Sequence, residues 1–241
     1  MCGLRFLSSC FVFFLITKQI LTFLTTNFLK IKEIIWDWNG TLINDTSLCV
    51  EILNKILSFN DQPSISIEFY RNNFSFPVSA FYKRISLPSS GQKFDEISIR
   101  FISEYRLKWK KCNLQTGVLQ ILKTIQQVGL RQSILSAGNQ SDVEFFVNHH
   151  SLGSFFNQIL GTDNIKAEGK IELGKRFITA SDLLPEEILL VGDTIHDLQV
   201  ANEIGCSVLL FSHGHNSKNQ LSGFSVPIIN DLMEVSQYLQ H

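Results

Sequence analysis

The chain has no cysteine pair of the kind that binds a metal. Its five cysteines, Cys2, Cys10, Cys49, Cys112 and Cys206, are scattered and never form a Cys-x-x-Cys step. That pattern argues against a zinc site and against a disulfide framework, and favours reduced, mostly buried thiols. Glycine-rich phosphate loops of the P-loop or Gly-x-Gly-x-x-Gly type are missing too, which removes the nucleotide-binding folds built on them. No repeat and no low-complexity tract occurs. An excess of one charge is also absent: 21 basic and 22 acidic residues leave a formal net charge of −1. Such a balance gives no footprint for nucleic acid and no polybasic membrane patch.

What remains is a chain of 241 residues, 44% of them hydrophobic. That length suits one α/β domain with an insertion, or two small domains. Residues 1–30 form a hydrophobic extension distinct from the rest. Leu4 to Leu29 is rich in Phe, Leu and Ile, with Arg5 near its start and Lys18 within it. The uncharged run Phe6 to Thr17 is shorter than the roughly 20 residues of a membrane span. Three readings stay open: a signal-peptide core, a membrane anchor interrupted by a lysine, or a start placed too early. The expected location is the cytoplasm. Anchoring or export is the alternative if residues 4–29 are a targeting segment, so membrane contact is expected only through residues 1–30.

Two short apolar runs stop abruptly at carboxylates. Ile34-Ile35-Trp36 ends in Asp37, and Val191-Gly192 ends in Asp193, with Asp197 four residues further on. A buried strand that ends at a carboxylate places it on the sheet's C-terminal edge, where open parallel sheets keep their ligand sites. Asp37, Asp193 and Asp197 in one crevice repel one another unless a cation sits among them. The pattern therefore predicts a divalent-metal site, with Mg²⁺ as the ion.

Alternation of strand and helix runs along most of the chain. Strands are expected at 32–38, 132–136, 156–160, 187–192, 207–211 and 226–229. Helices are expected at 48–57, 94–109, 117–128, 141–149, 171–183, 196–205 and 231–239. This order predicts an α/β fold with a doubly wound parallel sheet. From Asp45 to Lys111 no strand ends in a chemical group, and Pro63, Pro77 and Pro88 cut the segment into short pieces. It reads as a helical insertion.

Asp37-Trp38-Asn39-Gly40-Thr41, Ser136, Lys170 and Gly192-Asp193-x-x-x-Asp197 occur in that order. Together they resemble the motifs of the haloacid dehalogenase superfamily, in its phosphoglycolate-phosphatase-like branch. The resemblance spans residues 31–239. It implies a Rossmann-like core over 31–44 and 112–241, strand order 5-4-1-2-3, and a helical cap over 45–111. It also implies a Mg²⁺-dependent phosphatase acting on a small phosphorylated metabolite. Asp37 would be the nucleophile that becomes an aspartyl-phosphate. Gly40 and Thr41 would offer backbone N–H groups to the phosphate, and Ser136 with the Ala137 backbone would bind a phosphoryl oxygen. Lys170 would offset the charge on Asp37 and the phosphoryl group, with Lys166 as a weaker rival. Asp37, the Asn39 carbonyl, Asp193 and Asp197 would hold Mg²⁺. Oligomeric state is left open.

Asn39 departs from the family pattern, which carries an aspartate there as general acid and base. Help of that kind contributes roughly 10²–10⁴-fold. Several outcomes follow. The substrate has a good leaving group, such as an acyl or aryl phosphate. Or another acid, Asp45 or a cap residue, stands in. Or the protein binds a phosphorylated ligand with little turnover, or passes the phosphoryl group on as a phosphotransferase or mutase. His213 and His215, flanking Gly214, are expected on a surface loop, and His149-His150 at a helix end. The basic residues Arg106, Lys108, Lys110 and Lys111, and Arg71, Lys83 and Arg84, are either a solvated face or contacts to an anionic substrate.

Overall fold

The computed structural model describes residues 31–163 and 169–239. The hydrophobic extension at 1–30 and the candidate Lys166 lie outside these residues. Among the described residues, no helix is long and apolar enough to cross a membrane.

Strand β1 (Glu33–Trp36) is a continuous run of large side chains buried on both faces. It lies at the centre of a six-stranded sheet with β2 (Arg131–Asn139), β3 (Gln158–Thr162), β4 (Ile188–Gly192), β5 (Ser207–Phe211) and β6 (Ile228–Ile229). All pairs are parallel, and the order is β3-β2-β1-β4-β5-β6. The expected order 5-4-1-2-3 keeps its neighbours but needs a sixth position beyond β5. Only Ile228 and Ile229 of the expected 226–229 run pair there. Pro227 lacks an N–H, yet its carbonyl still accepts from the Leu210 N–H at 3.1 Å, a geometry suited to an edge.

Burial follows the period of two that a strand imposes. Ile34, Trp36, Ile134, Leu189 and Val191 enter one core, shared with α5 (Val118–Gln127) and α6 (Gln140–His149). Ile35, Leu135, Leu190 and Leu210 enter the other, shared with α7 (Ile171–Ala180) and α8 (Ile195–Ile204). The sheet is therefore covered on both sides, as an all-parallel sheet requires.

Between β1 and α5 the chain forms α1 (Thr46–Phe59), α2 (Ile67–Asn73), α3 (Val78–Arg84) and α4 (Gly91–Lys108). The prolines sit in the breaks, as at Pro77, the residue before α3. Apolar residues of these helices, such as Leu53, Phe81 and Ile97, join the first core. Two expected helices differ in detail. The segment after Lys170 stops at Ala180 rather than Leu183, and the last helical segment (Leu232–Tyr238) is a 3₁₀ helix.

Register sets the site. Trp36 is level with Ile134 and with Val191. Asp37 thus emerges from the sheet one residue ahead of Ser136 and Asp193, all on one edge.

Candidate active site

Asp37 stays in the ladder through its own N–H, which donates to the Val191 carbonyl at 2.9 Å. Its Oδ1 receives Lys170 Nζ in a short contact, and Oδ2 has no hydrogen-bond partner among the described residues. Lys170 is the residue that enters α7, and it is buried. Its ammonium also donates to the Leu135 carbonyl at 2.7 Å and meets Asp197 Oδ1 at 2.7 Å. Lys170 therefore bridges the two strand-end motifs.

Asp197 lies in the first turn of α8. Its Oδ2 accepts from the Thr194 N–H at 2.9 Å, the Thr194 hydroxyl at 2.8 Å and the Asp193 N–H at 3.2 Å. These bonds and Lys170 outweigh its burial and hold its carboxyl below the ordinary value. Asp193 accepts from the Thr41 hydroxyl at 2.8 Å and from the His215 N–H. Thr41 therefore uses its hydroxyl on a carboxylate. The Gly40 N–H likewise turns to Asp45 Oδ1, at 2.9 Å. Ser136 Oγ accepts from the Gly138 N–H at 3.0 Å, and Ser136 and Ala137 line the cavity above Asp37.

Ligand atoms of Asp37, Asp193 and Asp197 all lie within 4.8 Å of one another. Of the three carboxylates, Asp37 and Asp197 pair with the Lys170 ammonium, and Asp193 is met by Thr41 and His215. Burial, together with Asp197 and Asp193 as neighbours, pushes the Asp37 carboxyl up against the pull of Lys170. Burial and Asp197 push Asp193 up to about 6. Excess negative charge and an all-oxygen donor set suit a hard divalent cation. The residues present fit Mg²⁺.

A prediction follows. A raised carboxyl makes the folded state lose stability as pH rises from the ordinary 3.8 to about 6. A cation binding the deprotonated form removes that loss and competes with protons. Mg²⁺ should raise the thermal melting temperature, and by more above about pH 6 than below it. A shift independent of pH would contradict this.

Beneath Asn39 lies a second network that the sequence did not foretell. Asp45 precedes α1 without capping it. Its carboxylate instead accepts from Asn39 Nδ2 at 2.7 Å, the Tyr105 hydroxyl at 2.8 Å and the Gly40 N–H at 2.9 Å, and pairs with His215 Nε2 at 3.2 Å. His215 Nδ1 lies 3.0 Å from the Tyr70 hydroxyl. Although burial opposes both shifts, pairing lowers the Asp45 carboxyl and raises His215 to about 9. Asp45 is thus a saturated acceptor and not a stand-in acid.

His213 is exposed, as expected of a surface loop, but His215 is buried in the site, which corrects that expectation. β5 ends on the same edge as β4, so the chain after it folds back over Asp193. Gly214 permits this: a Cβ there would lie 2.0 Å from Asp193 Oδ2. The Gly-His-Asn-Ser run after a strand was the available signal for His215. Tyr70 and Tyr105, in the inserted helices, left none. Gly40 is fixed more strictly still. Its φ is +79° and a Cβ would lie 2.4 Å from Asp193 Oδ2. Gly40→Ala should cost more than about 1 kcal/mol and abolish activity, which denaturant melts and assays would check.

Four of the basic residues are occupied elsewhere. Arg106 holds Asp142 through two nitrogens at 2.8–3.1 Å, and Lys108 pairs with Glu51 at 2.7 Å. Arg71 donates to the Ser212 carbonyl, and Arg84 to that of Asn73. None of them lines the cavity above Asp37.

Fold and site together define a Rossmann-like enzyme with a carboxylate–lysine centre on the sheet's C-terminal edge. The family model of the haloacid dehalogenase-like hydrolases matches residues 34–211, and the chain belongs to that family. It is 21% identical over 211 residues to a phosphoglycolate phosphatase of Vibrio vulnificus, covering 84% of this chain and 92% of that protein. It is 23% identical over 212 residues to a Saccharomyces cerevisiae protein named "Probable pseudouridine-5'-phosphatase", covering 78% and 85%. A haloacid dehalogenase-like hydrolase from Streptococcus pneumoniae shares the fold, with a TM-score of 0.76 at 21% identity over 88% of this chain and 99% of that one.

Proposed function

We propose that this protein hydrolyses a small phosphorylated metabolite with Mg²⁺, through an aspartyl-phosphate formed on Asp37. It is a phosphoric monoester hydrolase of the haloacid dehalogenase-like family. The metal, the intermediate and the substrate are the proposal. One observation carries it: Asp37 ends the central strand with one oxygen fixed by Lys170 and the other without a partner among the described residues. A carboxylate held this way is oriented for attack at phosphorus.

Lys170 orients Asp37 and offsets its charge. The Ser136 hydroxyl and nearby backbone N–H groups receive phosphoryl oxygens. Mg²⁺ would be held by Asp37, the Asn39 carbonyl and Asp193, with Asp197 behind them, and would neutralise charge on the nucleophile and the phosphoryl oxygens. The helices over 45–111 act as the cap that covers the site and reads the rest of the substrate.

Asn39 favours a second reading. Its amide donates to Asp45 and to the Tyr105 hydroxyl and has no exchangeable acid to offer a leaving group or a water. The aspartyl-phosphate would then last long enough to pass to an acceptor other than water, as in a phosphotransferase. Phosphate release from acetyl phosphate and phosphoglycolate, with EDTA and then restored Mg²⁺, tests the first reading. Release that EDTA stops and Mg²⁺ restores is expected. Release indifferent to EDTA would contradict it.

A further inference from the structure

The cavity above Asp37 has a volume of about 160 Å³. Its floor is Asp37, Ser136 and Lys170, and its far wall comes from the inserted helices. Leu53, Phe74, Phe76, Val78, Phe81 and Phe101 give that wall apolar surface. The rings are already arranged edge to face: Phe74 meets Phe76 at 5.3 Å and Phe81 at 5.5 Å between centroids. A cavity of roughly 150 Å³ lined by such groups takes up benzene.

The cationic groups of the lining are already paired, His215 with Asp45 at 3.2 Å. Among the described residues Lys170 is the only lysine or arginine lining the cavity, and it is committed to Asp37, Asp197 and Leu135. A carboxylate on the leaving group would lose its water with no unpaired counter-charge to replace it. The wall's polar groups are mostly spent as well. The Tyr70 hydroxyl lies against His215, that of Tyr105 is bound to Asp45, and that of Ser98 donates to the Phe94 carbonyl at 2.9 Å. Tyr82 adds one hydroxyl, too little for a sugar with several.

The leaving oxygen finds no proton either. Asn39 is an amide, both oxygens of Asp45 accept hydrogen bonds, and His215 turns one ring nitrogen to Asp45 and the other to the Tyr70 hydroxyl. The Lys170 backbone N–H donates to His196 Nε2 at 2.9 Å, so that ring carries its proton on Nδ1, beside Gln199 Oε1 at 3.2 Å. The oxygen must leave as an anion. A phenol ionises near about 10, whereas water, and alcohols like it, stand near 15.7.

We infer that the substrate is an aryl phosphate, the phosphate monoester of a phenol, whose single ring rests on the Phe74–Phe76–Phe81–Phe101 wall and whose oxygen departs unprotonated. This rests on the phosphatase reading above. An Asp37 carboxylate oxygen bonds to phosphorus while the phosphorus–aryl oxygen bond breaks. The electron pair leaves on the phenolate, which takes its proton from solvent. Water then cleaves the aspartyl-phosphate to inorganic phosphate and gives its proton to solvent. Ring burial supplies binding, and phenol acidity replaces the absent acid.

The test is kcat/KM with Mg²⁺ for acetyl phosphate, phenyl and 4-nitrophenyl phosphate, glycerol phosphate and phosphoglycolate. Acetyl phosphate needs neither a ring nor a proton donor, so it reports on Asp37 alone. The expected result is aryl esters above glycerol phosphate and phosphoglycolate by at least roughly 10²-fold, the lower bound for missing acid catalysis. Rates should rise steeply with phenol acidity. Phe101→Ala and Phe76→Ala, at partly buried positions, should each lower the phenyl-to-acetyl ratio roughly tenfold, the scale of one buried aromatic contact. Turnover of acetyl phosphate with phosphoglycolate equal to or above phenyl phosphate would overturn the aryl assignment and leave the phosphatase reading standing. Turnover of none would overturn both.

Discussion

Asn39→Asp should raise kcat/KM on alkyl phosphates by roughly 10²–10⁴-fold. Asn39 lines the cavity with Asp37, and its Nδ2 sits 2.7 Å from Asp45 Oδ2 and 3.0 Å from the Tyr105 hydroxyl. An aspartate in that place would face the Asp45 carboxylate, which is already held in its charged form. Two carboxylates so close share one proton, so the new residue keeps its proton near neutral pH. It would then be the acid the site lacks. On aryl phosphates kcat/KM should change little, because the phenolate needs no proton. Their kcat should rise, since the same residue, once deprotonated, activates water for the second step. Equal gains in kcat/KM on alkyl and aryl esters would show that leaving-group protonation is not what limits this chain.

Asp37→Asn should remove turnover of every phosphate, by at least about 10⁴-fold, the scale seen when the machinery of a covalent nucleophile is lost. The substitution keeps shape and an acceptor for Lys170, which also keeps Asp197 at 2.7 Å. It takes one charge from an over-negative buried cluster, so the metal-free protein should melt no lower than wild type. Intact melting with activity lost assigns the loss to chemistry. Residual turnover near wild type would place the nucleophile elsewhere.

Much of this was legible in the chain because it rests on local patterns. Apolar runs closed by Asp37 and Asp193 gave the strands and the edge on which the site forms. The spacing of Asp193 and Asp197 gave one turn at the start of α8. Lys170 could be placed through the family resemblance, which chose it over Lys166. The network around Asp45 was not legible. Tyr105 is 60 residues from Asp45 and meets it only because α1 and α4 pack together. His215 looked like a loop histidine; the Gly-His-Asn-Ser run was a local signal, but the return of the chain after β5 over Asp193 is a tertiary event. The sixth strand was expected at 226–229, but the five-strand order gave it no place, and only Ile228 and Ile229 pair, beside β5. The basic residues could be read either as a solvated face or as substrate contacts until the acidic and carbonyl partners of Arg71, Arg84, Arg106 and Lys108 were placed in space.

The central claim is a covalent phosphoryl group on Asp37. The direct measurement is acid quenching of wild-type protein during turnover of phenyl phosphate with Mg²⁺, followed by intact and peptide mass spectrometry. Without a group at Asn39 to activate water, the intermediate should accumulate. The account predicts one added phosphoryl group, on the peptide containing Asp37, absent from Asp37→Asn and much reduced in Asn39→Asp. Turnover with no phosphorylated Asp37 at any quench time, or with the label on another residue, would contradict it.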